Sequence, residues 1–350
     1  WYSEANSALI PLLKRLSTEI KAFEAFQKNR HENVIFPNIP PHRRPAAQGR
    51  ISRQRRFKIA IVGGGFCGMS AAYFLILSGR YNGNDIVIID KKFVGNGASF
   101  VSAGFLTVST EHDCAELFEL FGREKALKYW NAAEAGLKLI KDAVKNLGIS
   151  RELEANSSLY LCPSVKKLID MEREAKMLTS VGYPARFVRK TELEKYFGIG
   201  GFEGAVYSKI GGYFIHGHKL LGSLKHFLAQ SGVFMMEGTE IIDVKSDGNI
   251  LITSLNTQIS ADKIIVTTNY AVSKFRLLGF LREKVYPLET HLALTEQLPA
   301  SFLRNNNWIK ATFMWDTTYT YTYFKVLEDG RMLIGGGRDI YLKKHLHEIE

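Results

Sequence analysis

The stretch IAIVGGGFCGMSAAYF, Ile59 to Phe74, constrains the fold more than any other in the chain. An apolar run stops at three glycines, and small and apolar residues follow at helical spacing. KIAIV, Lys58 to Val62, reads as a short buried strand and Phe66–Ser78 as a helix, with Gly79 ending it. DIVIID, Asp85 to Asp90, reads as a second buried strand. Strand, turn, helix and strand in this order form one unit of a parallel sheet, because parallel neighbours need a crossover between them. The turn itself, Gly63-Gly64-Gly65-Phe66-Cys67-Gly68, satisfies G-x-G-x-x-G. Gly63 permits the tight turn off the strand. Gly65 lets backbone approach a pyrophosphate, and Gly68 lets the helix lie close to the sheet. The helix start offers free N–H groups and the positive end of its dipole to phosphate. Cys67 is expected to be a small packing residue of this turn.

Asp90 ends the second strand, 22 residues beyond Gly68. A carboxylate there accepts hydrogen bonds from the hydroxyls of an adenosine ribose and repels a 2′-phosphate, which argues against NADP. Lys91 follows it at the same end of the site. Asp90 does not separate NAD from FAD, since both carry adenosine. GNGASFVSAGFL, Gly95 to Leu106, does separate them. An NAD domain needs no second loop of small residues here. The longer FAD does, because its ribityl and flavin parts must be held further along, where backbone N–H groups can reach the flavin edge.

The remaining pattern bounds the rest of the molecule. The formal charge is +11, but residues 1–56 hold eleven Lys/Arg against four Glu, so +7 lies there and the body is nearly balanced. Leu9, Leu12, Leu13, Leu16, Ile20, Phe23 and Phe26 recur at helical spacing, predicting an amphipathic helix over about 6–28. Residues 36–56, rich in proline and arginine, read as an extended connector. It lacks a stacking platform, so a nucleic-acid partner is not expected. Three cysteines (Cys67, Cys114, Cys162) with no close pair fit a reducing compartment, and cytoplasmic localisation is expected. No apolar run is long enough to span a bilayer, and no metal-ligand cluster is visible. Two helices are expected near 112–122 and 124–147. Strands and helices alternate over 150–260, and strands dominate from Lys284 onward, TYTYTYFKV among them.

With these motifs in place, the chain resembles the D-amino-acid-oxidase-like flavoproteins, which include glycine and sarcosine oxidases, D-amino-acid dehydrogenases and gamma-glutamylputrescine oxidases. Gly95, Gly97, Ala98, Ser99, Ala103 and Gly104 follow in order that family's G-x-G-A-S-x-x-x-A-G segment after the ribose acid. GFEGAVYSKIGGYFIHGHKLLGSL, GTEIIDV, ADKIIVTTNY and DGRMLIGGGRD are similar to its later segments, so the likeness runs from Lys58 to about Arg338. His216-Gly217 departs from the His-Pro of putrescine-type members. The family's last glycine-rich segment has no counterpart after Gly337, and the chain begins at Trp1, so a fragment is expected.

The resemblance implies an α/β fold: a Rossmann-like FAD-binding domain with a parallel sheet, and an antiparallel-sheet substrate domain. The expected division is a helix and basic connector at 1–56 and FAD-binding parts at 57–150 and 235–280. Substrate-domain parts follow at 151–234 and 281–332, with a truncated return to the FAD domain at 333–350. FAD is the implied cofactor, held at the glycine turn by Gly63, Gly65, Phe66, Cys67 and Gly68, and at its adenosine end by Asp90 and Lys91. The second loop adds Gly97, Ala98, Ser99, Ala103, Gly104, Phe105 and Leu106. Ile241, Thr267, Thr268 and Asn269 complete the set. The implied reaction is oxidation of a C–N bond in a small amine or amino acid, with hydride passing to flavin N5 and electrons going on to oxygen or a quinone.

Tyr319, Tyr321 and Tyr323 alternate with threonines, which puts them on one face of a strand. Tyr321 and Tyr323 are candidate pocket residues, with His216 and His291. Arg331 or Arg338 is the candidate partner of a substrate carboxylate. Two rival readings remain: a flavin-fold binding or assembly module without catalysis, and a flavin-dependent RNA-modifying enzyme, which would bind RNA through residues 1–56.

Overall fold

The structure, a computed structural model, describes residues 56–340 apart from 109–111, 246–249, 255–256, 283, 286–287, 307–308, 310 and 319–320. The helix expected over 6–28, the connector before Arg56 and Tyr319 lie outside the described residues. In chain order the first elements are β1 (Arg56–Val62), α1 (Phe66–Leu77), β2 (Ile86–Ile89), β3 (Phe105–Leu106) and α2 (Cys114–Asn146). Then come β4 (Glu154–Cys162), α3 (Leu168–Ser180), β5 (Ala185–Arg189), α4 (Lys190–Phe197), β6 (Gly204–Phe214) and α5 (Gly217–Gln230). β7 (Phe234–Met236), β8 (Ile241–Lys245), β9 (Ile250–Thr253) and β10 (Gln258–Val266) follow. β11 (Leu288–Gln297), α6 (Ala300–Asn305), β12 (Thr312–Asp316), β13 (Tyr323–Val326) and β14 (Arg331–Ile340) complete the set. Among the described residues no helix is long and apolar enough to cross a membrane.

The first sheet has six strands in the order β7-β2-β1-β10-β9-β8. β7, β2, β1 and β10 are parallel; β9 pairs antiparallel to β10, and β8 antiparallel to β9. The parallel strands are covered on both faces, which is why they read as unbroken apolar runs. Ile59 and Ile61 meet α1 and α5 on one face, while Ala60 and Val62 pack with Val87, Ile89 and Leu251 on the other. Helix α1 packs against α5, where Tyr73 and Phe227 meet edge to face at 5.0 Å. Gly79 follows it at φ +69, the left-handed position that suits glycine after a helix.

The second sheet has eight strands, in the order β11-β14-β13-β12-β4-β6-β3 with β5 also paired to β6. It is antiparallel except for the parallel pair β12–β4. One face, with Leu159, Leu161, Met314 and Val326, packs on α4 and on the segment around α6. The other carries Ser158, Tyr160, Phe313, Trp315 and Tyr323 and meets α2 and α3 at one end. Helix α2 reaches both sheets. Its first half packs through Cys114 and Trp130 near α3, and its last turns bring Ala143 and Val144 to α1. The break expected near residue 123 is at Gly122, whose φ of 72° interrupts the helical path.

Three expectations need correction. The tyrosine-rich stretch is not one strand: β13 starts only at Tyr323, Tyr321 turns with φ 49°, and the Tyr321 N–H donates to the Thr318 carbonyl. Tyr321 and Tyr323 are neighbours across a turn, with ring centroids 6.0 Å apart. The Asp316 carboxylate organises that turn by accepting from the Thr318 and Thr322 N–H groups. Cys67 is exposed on the first turn of α1 and does not pack into the glycine turn. The segment GAVYS, Gly204 to Ser208, reads from its sequence as a short strand, but β6 continues to Phe214, because Gly211 has no Cβ to collide with Ser158 on β4.

Candidate functional site

The ends of β1 and β10 meet at the glycine turn. The Thr267 N–H donates to the Val62 carbonyl at 2.8 Å, and its hydroxyl reaches the carbonyls of Val62 and Gly63 at 3.0 and 2.9 Å. A Cβ on Gly63, at φ +107, would lie 2.6 Å from the Thr267 carbonyl oxygen, and one on Gly68 would collide with the Gly63 carbonyl. Both positions therefore require glycine, one for its backbone conformation and both for space. Gly65 caps the start of α1, and a Cβ there would meet chiefly the Ser99 hydroxyl.

Asp90 stands beside this turn, half-buried. Its Oδ2 accepts from the Gly64 N–H at 2.9 Å and its Oδ1 from the Lys92 N–H at 2.8 Å. Each oxygen keeps a second acceptor direction for a ribose hydroxyl. Lys91 is exposed next to it. The second loop docks back onto the first. The Gly95 N–H donates to the Gly64 carbonyl at 2.7 Å, and Ser99 Oγ accepts from the Phe66 N–H at 3.0 Å. Ala98 and Gly97 are exposed on this loop, and Ala103 is half-buried. The Gly104 carbonyl accepts from Ile215 N–H, tying the loop to the end of β6. Phe105 and Leu106 then enter the second sheet opposite Phe214 and Tyr213. A single run from Asp90 to Leu106 thus links the ribose acid to the aromatic face of the other sheet.

The other expected residues divide. Thr267, Thr268 and Asn269 lie at the end of β10 beside the turn, Asn269 at φ 55°. Ile241 is buried in the core beneath the first sheet, with Val62 and Ile89. Tyr323 faces Phe105, 5.5 Å between ring centroids. His216 caps α5 at the end of β6, 5.0 Å from the Phe214 ring. Burial, with Lys219 nearby, pushes its pKa below the usual histidine value. His291 is exposed on β11, far along the sheet order from His216. Arg331 is engaged with Asp329, 2.6 Å away at the β13–β14 turn. The Arg338 side chain lies outside the described set.

Sequence reasoning missed Lys325. It is 1% exposed on the same face as Tyr323, donates to Asn156 Oδ1 at 2.9 Å and lies 3.6 Å from Glu154. Its ammonium stands over the Phe214 and Phe313 rings, and burial lowers its pKa. A lysine two residues from Tyr323 in a strand was the available signal, since period two puts both on one face.

The residues present fit FAD. The glycine turn, the start of α1 and Asp90 provide for pyrophosphate and ribose. Thr268 Oγ1 is buried beside the turn with no hydrogen-bond partner, a group that a bound ligand would complete. This geometry defines a dinucleotide-binding flavoprotein with an antiparallel second sheet. Residues 58–349 match the family model DAO, described as FAD dependent oxidoreductase. The chain belongs to this family. It is 25% identical over 327 residues to "Probable oxidoreductase OrdL" of Rhizobium meliloti, covering 91% of this chain and 69% of that protein. It is 22% identical to gamma-glutamylputrescine oxidoreductase of Escherichia coli, covering 80% of this chain and 64% of that one. The crystal structure of glycine oxidase from Geobacillus kaustophilus superposes with a TM-score of 0.64 at 21% identity, over 81% of this chain and 72% of that chain.

Proposed function

We propose that this chain oxidises the C–N bond of a small amine or amino acid. The observation that carries the reading is the run from Asp90 through Gly104. It leaves the dinucleotide turn and delivers Phe105 directly onto the face that holds Tyr323, Phe214 and Lys325. The relatives named for glycine and for gamma-glutamylputrescine support the substrate class. Bound FAD supplies the hydride acceptor. The chain's own residues hold and orient the substrate and keep water out.

A substrate amine must be uncharged to lose hydride. The half-buried aromatic face favours the uncharged amine by withholding solvation from its ammonium form. Lys325 adds positive charge next to that face and so also disfavours a neighbouring ammonium. The test is product formation. The FAD-loaded chain, given an electron acceptor and a panel of amines and amino acids, is expected to release ammonia or a shorter amine with one class. Release with none would contradict the reading.

A further inference from the structure

A cavity of about 200 Å³ opens on the same face of the second sheet, against the start of α2 and against α3. Thr107, just beyond β3, and Tyr321, next to Tyr323, form part of its wall, so it borders the site described above. Three carboxylates reach it, and the fold already uses two of them. The Glu174 oxygens accept from the Cys114 N–H at 2.9 Å and the Ala115 N–H at 2.7 Å. Asp316 Oδ1 accepts from the Thr318 and Thr322 N–H groups. Asp113 is held differently. It occupies the N-cap position of α2, yet its side chain does not cap the helix. The Tyr160 hydroxyl donates to its Oδ2 over a long 3.4 Å. Burial raises its pKa, as it does for a carboxylate short of donors.

Two further groups in the wall have no hydrogen-bond partner among the described residues. Trp130 Nε1 and Thr317 Oγ1 are shielded from solvent, in residues 3% and 9% exposed. Buried polar groups in this state are rare in native proteins and point to a missing ligand or water. An indole N–H can only donate, so its partner carries an acceptor. The Asp113 carboxylate accepts, so its partner carries a donor. A carboxylate ligand has no donor, and an ammonium or amidinium has no acceptor. A primary carboxamide has both, on separate atoms in one plane. A flat ligand also suits the walls, where the rings of Trp130, Tyr160, Tyr183 and Trp315 lie. Tyr160 and Trp315 are stacked, with centroids 5.7 Å apart.

We propose that this cavity binds a neutral aryl carboxamide, whose carbonyl oxygen accepts from Trp130 Nε1 and whose amide N–H donates to Asp113. The Thr317 hydroxyl serves the second lone pair of the same oxygen. The Asp113 charge turns away an anionic ligand. A ligand with donors alone leaves the Trp130 N–H buried and unpaired, which costs binding. The site goes beyond the amine-oxidation reading and does not rest on it, since the amide is held and not transformed.

The probes are benzamide, acetophenone, benzamidine and benzyl alcohol. They share one ring and differ in the polar group: acetophenone lacks the donor, benzamidine lacks the acceptor, and benzyl alcohol places both on one atom. Calorimetric titration of the FAD-loaded chain is expected to show benzamide binding about tenfold more tightly than each of the other three. Trp130→Phe keeps a ring and removes the N–H, and should weaken benzamide about tenfold. Thr317→Val keeps the shape and removes the hydroxyl, and should weaken it about threefold. Melting curves establish that both variants fold. Equal or tighter binding of benzamidine would make the cavity a cation site. Equal binding of acetophenone or benzyl alcohol would remove the need for an amide. Each of these results would overturn the proposal. So would no binding of any probe, or a benzamide affinity that survives both substitutions. Amine oxidation is read separately, from product release, so either reading fails without the other.

Discussion

At the residue scale, the site depends on a few atoms whose removal has calculable effects. Asp90 accepts the Gly64 N–H and faces the place of a ribose. Asp90→Ala forfeits charge-assisted hydrogen bonds that contribute roughly 1.5–3 kcal/mol each. FAD affinity should fall by about ten- to a hundredfold, read by titrating the apoprotein with FAD. Gly68→Ala drives a methyl into the Gly63 carbonyl. Such overpacking costs about 1–3 kcal/mol, and the melting temperature should drop with it. Glu174 gives a pH dependence. Burial is the main cause that raises its carboxyl from 4.5 to about 7, the Ala115 and Cys114 N–H groups pull it down, and Asp113 and Glu116 push it up. The fold therefore favours the protonated form. The stability this lends is complete below pH 4.5 and is lost as pH rises through about 7. The loss is on the order of 3 kcal/mol. Glu174→Gln should remove most of that slope, measured as melting temperature against pH for both chains.

At the scale of elements, local signals were legible and long-range ones were not. β1, the glycine turn, α1, β2 and Asp90 sit within about thirty-five consecutive residues, and period and glycine placement specify them without help from the rest of the chain. The end of β10 was legible for the same reason, an apolar run closing on Thr267 and Thr268. The tyrosine stretch misled because alternation alone predicts a strand, while the Asp316 carboxylate, several residues upstream, folds it into a turn. The cavity lined by Asp113, Tyr160 and Glu174 was invisible in the sequence, since Glu174 lies 60 residues from Cys114, whose N–H it accepts. One trace was present: Glu174 lies on the apolar stripe of α3, between Met171 and Leu178, where a carboxylate is out of place. The short pair β5 and α4 was also passed over, although Gly198 marks the end of α4 at φ 62°. Gly122 offers a check on the element scale. It breaks α2 at φ 72°, so Gly122→Ala should destabilise by roughly 1–2 kcal/mol, where a glycine inside a regular helix would gain from alanine.

At the scale of the whole molecule, two sheets are joined by the loop that carries Ser99 and Gly104 and by α2, whose Ala143 and Val144 pack in the core of the first and whose Lys141 donates to the Tyr213 hydroxyl on β6 of the second. The parallel sheet was legible from its buried runs, and the presence of an antiparallel partner sheet came through the family resemblance. The parallel pair β12–β4 inside that second sheet had no sequence signature, because strand partners so far apart are chosen by tertiary packing. In the proposed reaction the glycine turn holds FAD and the aromatic face beyond Gly104 presents an amine to it. The most direct measurement is an anaerobic absorption spectrum of the FAD-loaded chain with successive amines and amino acids. One class is expected to bleach the visible flavin band, and Asp90→Ala is expected to yield a chain that loads with FAD poorly. A chain that holds FAD yet shows no bleaching with any amine or amino acid would contradict it.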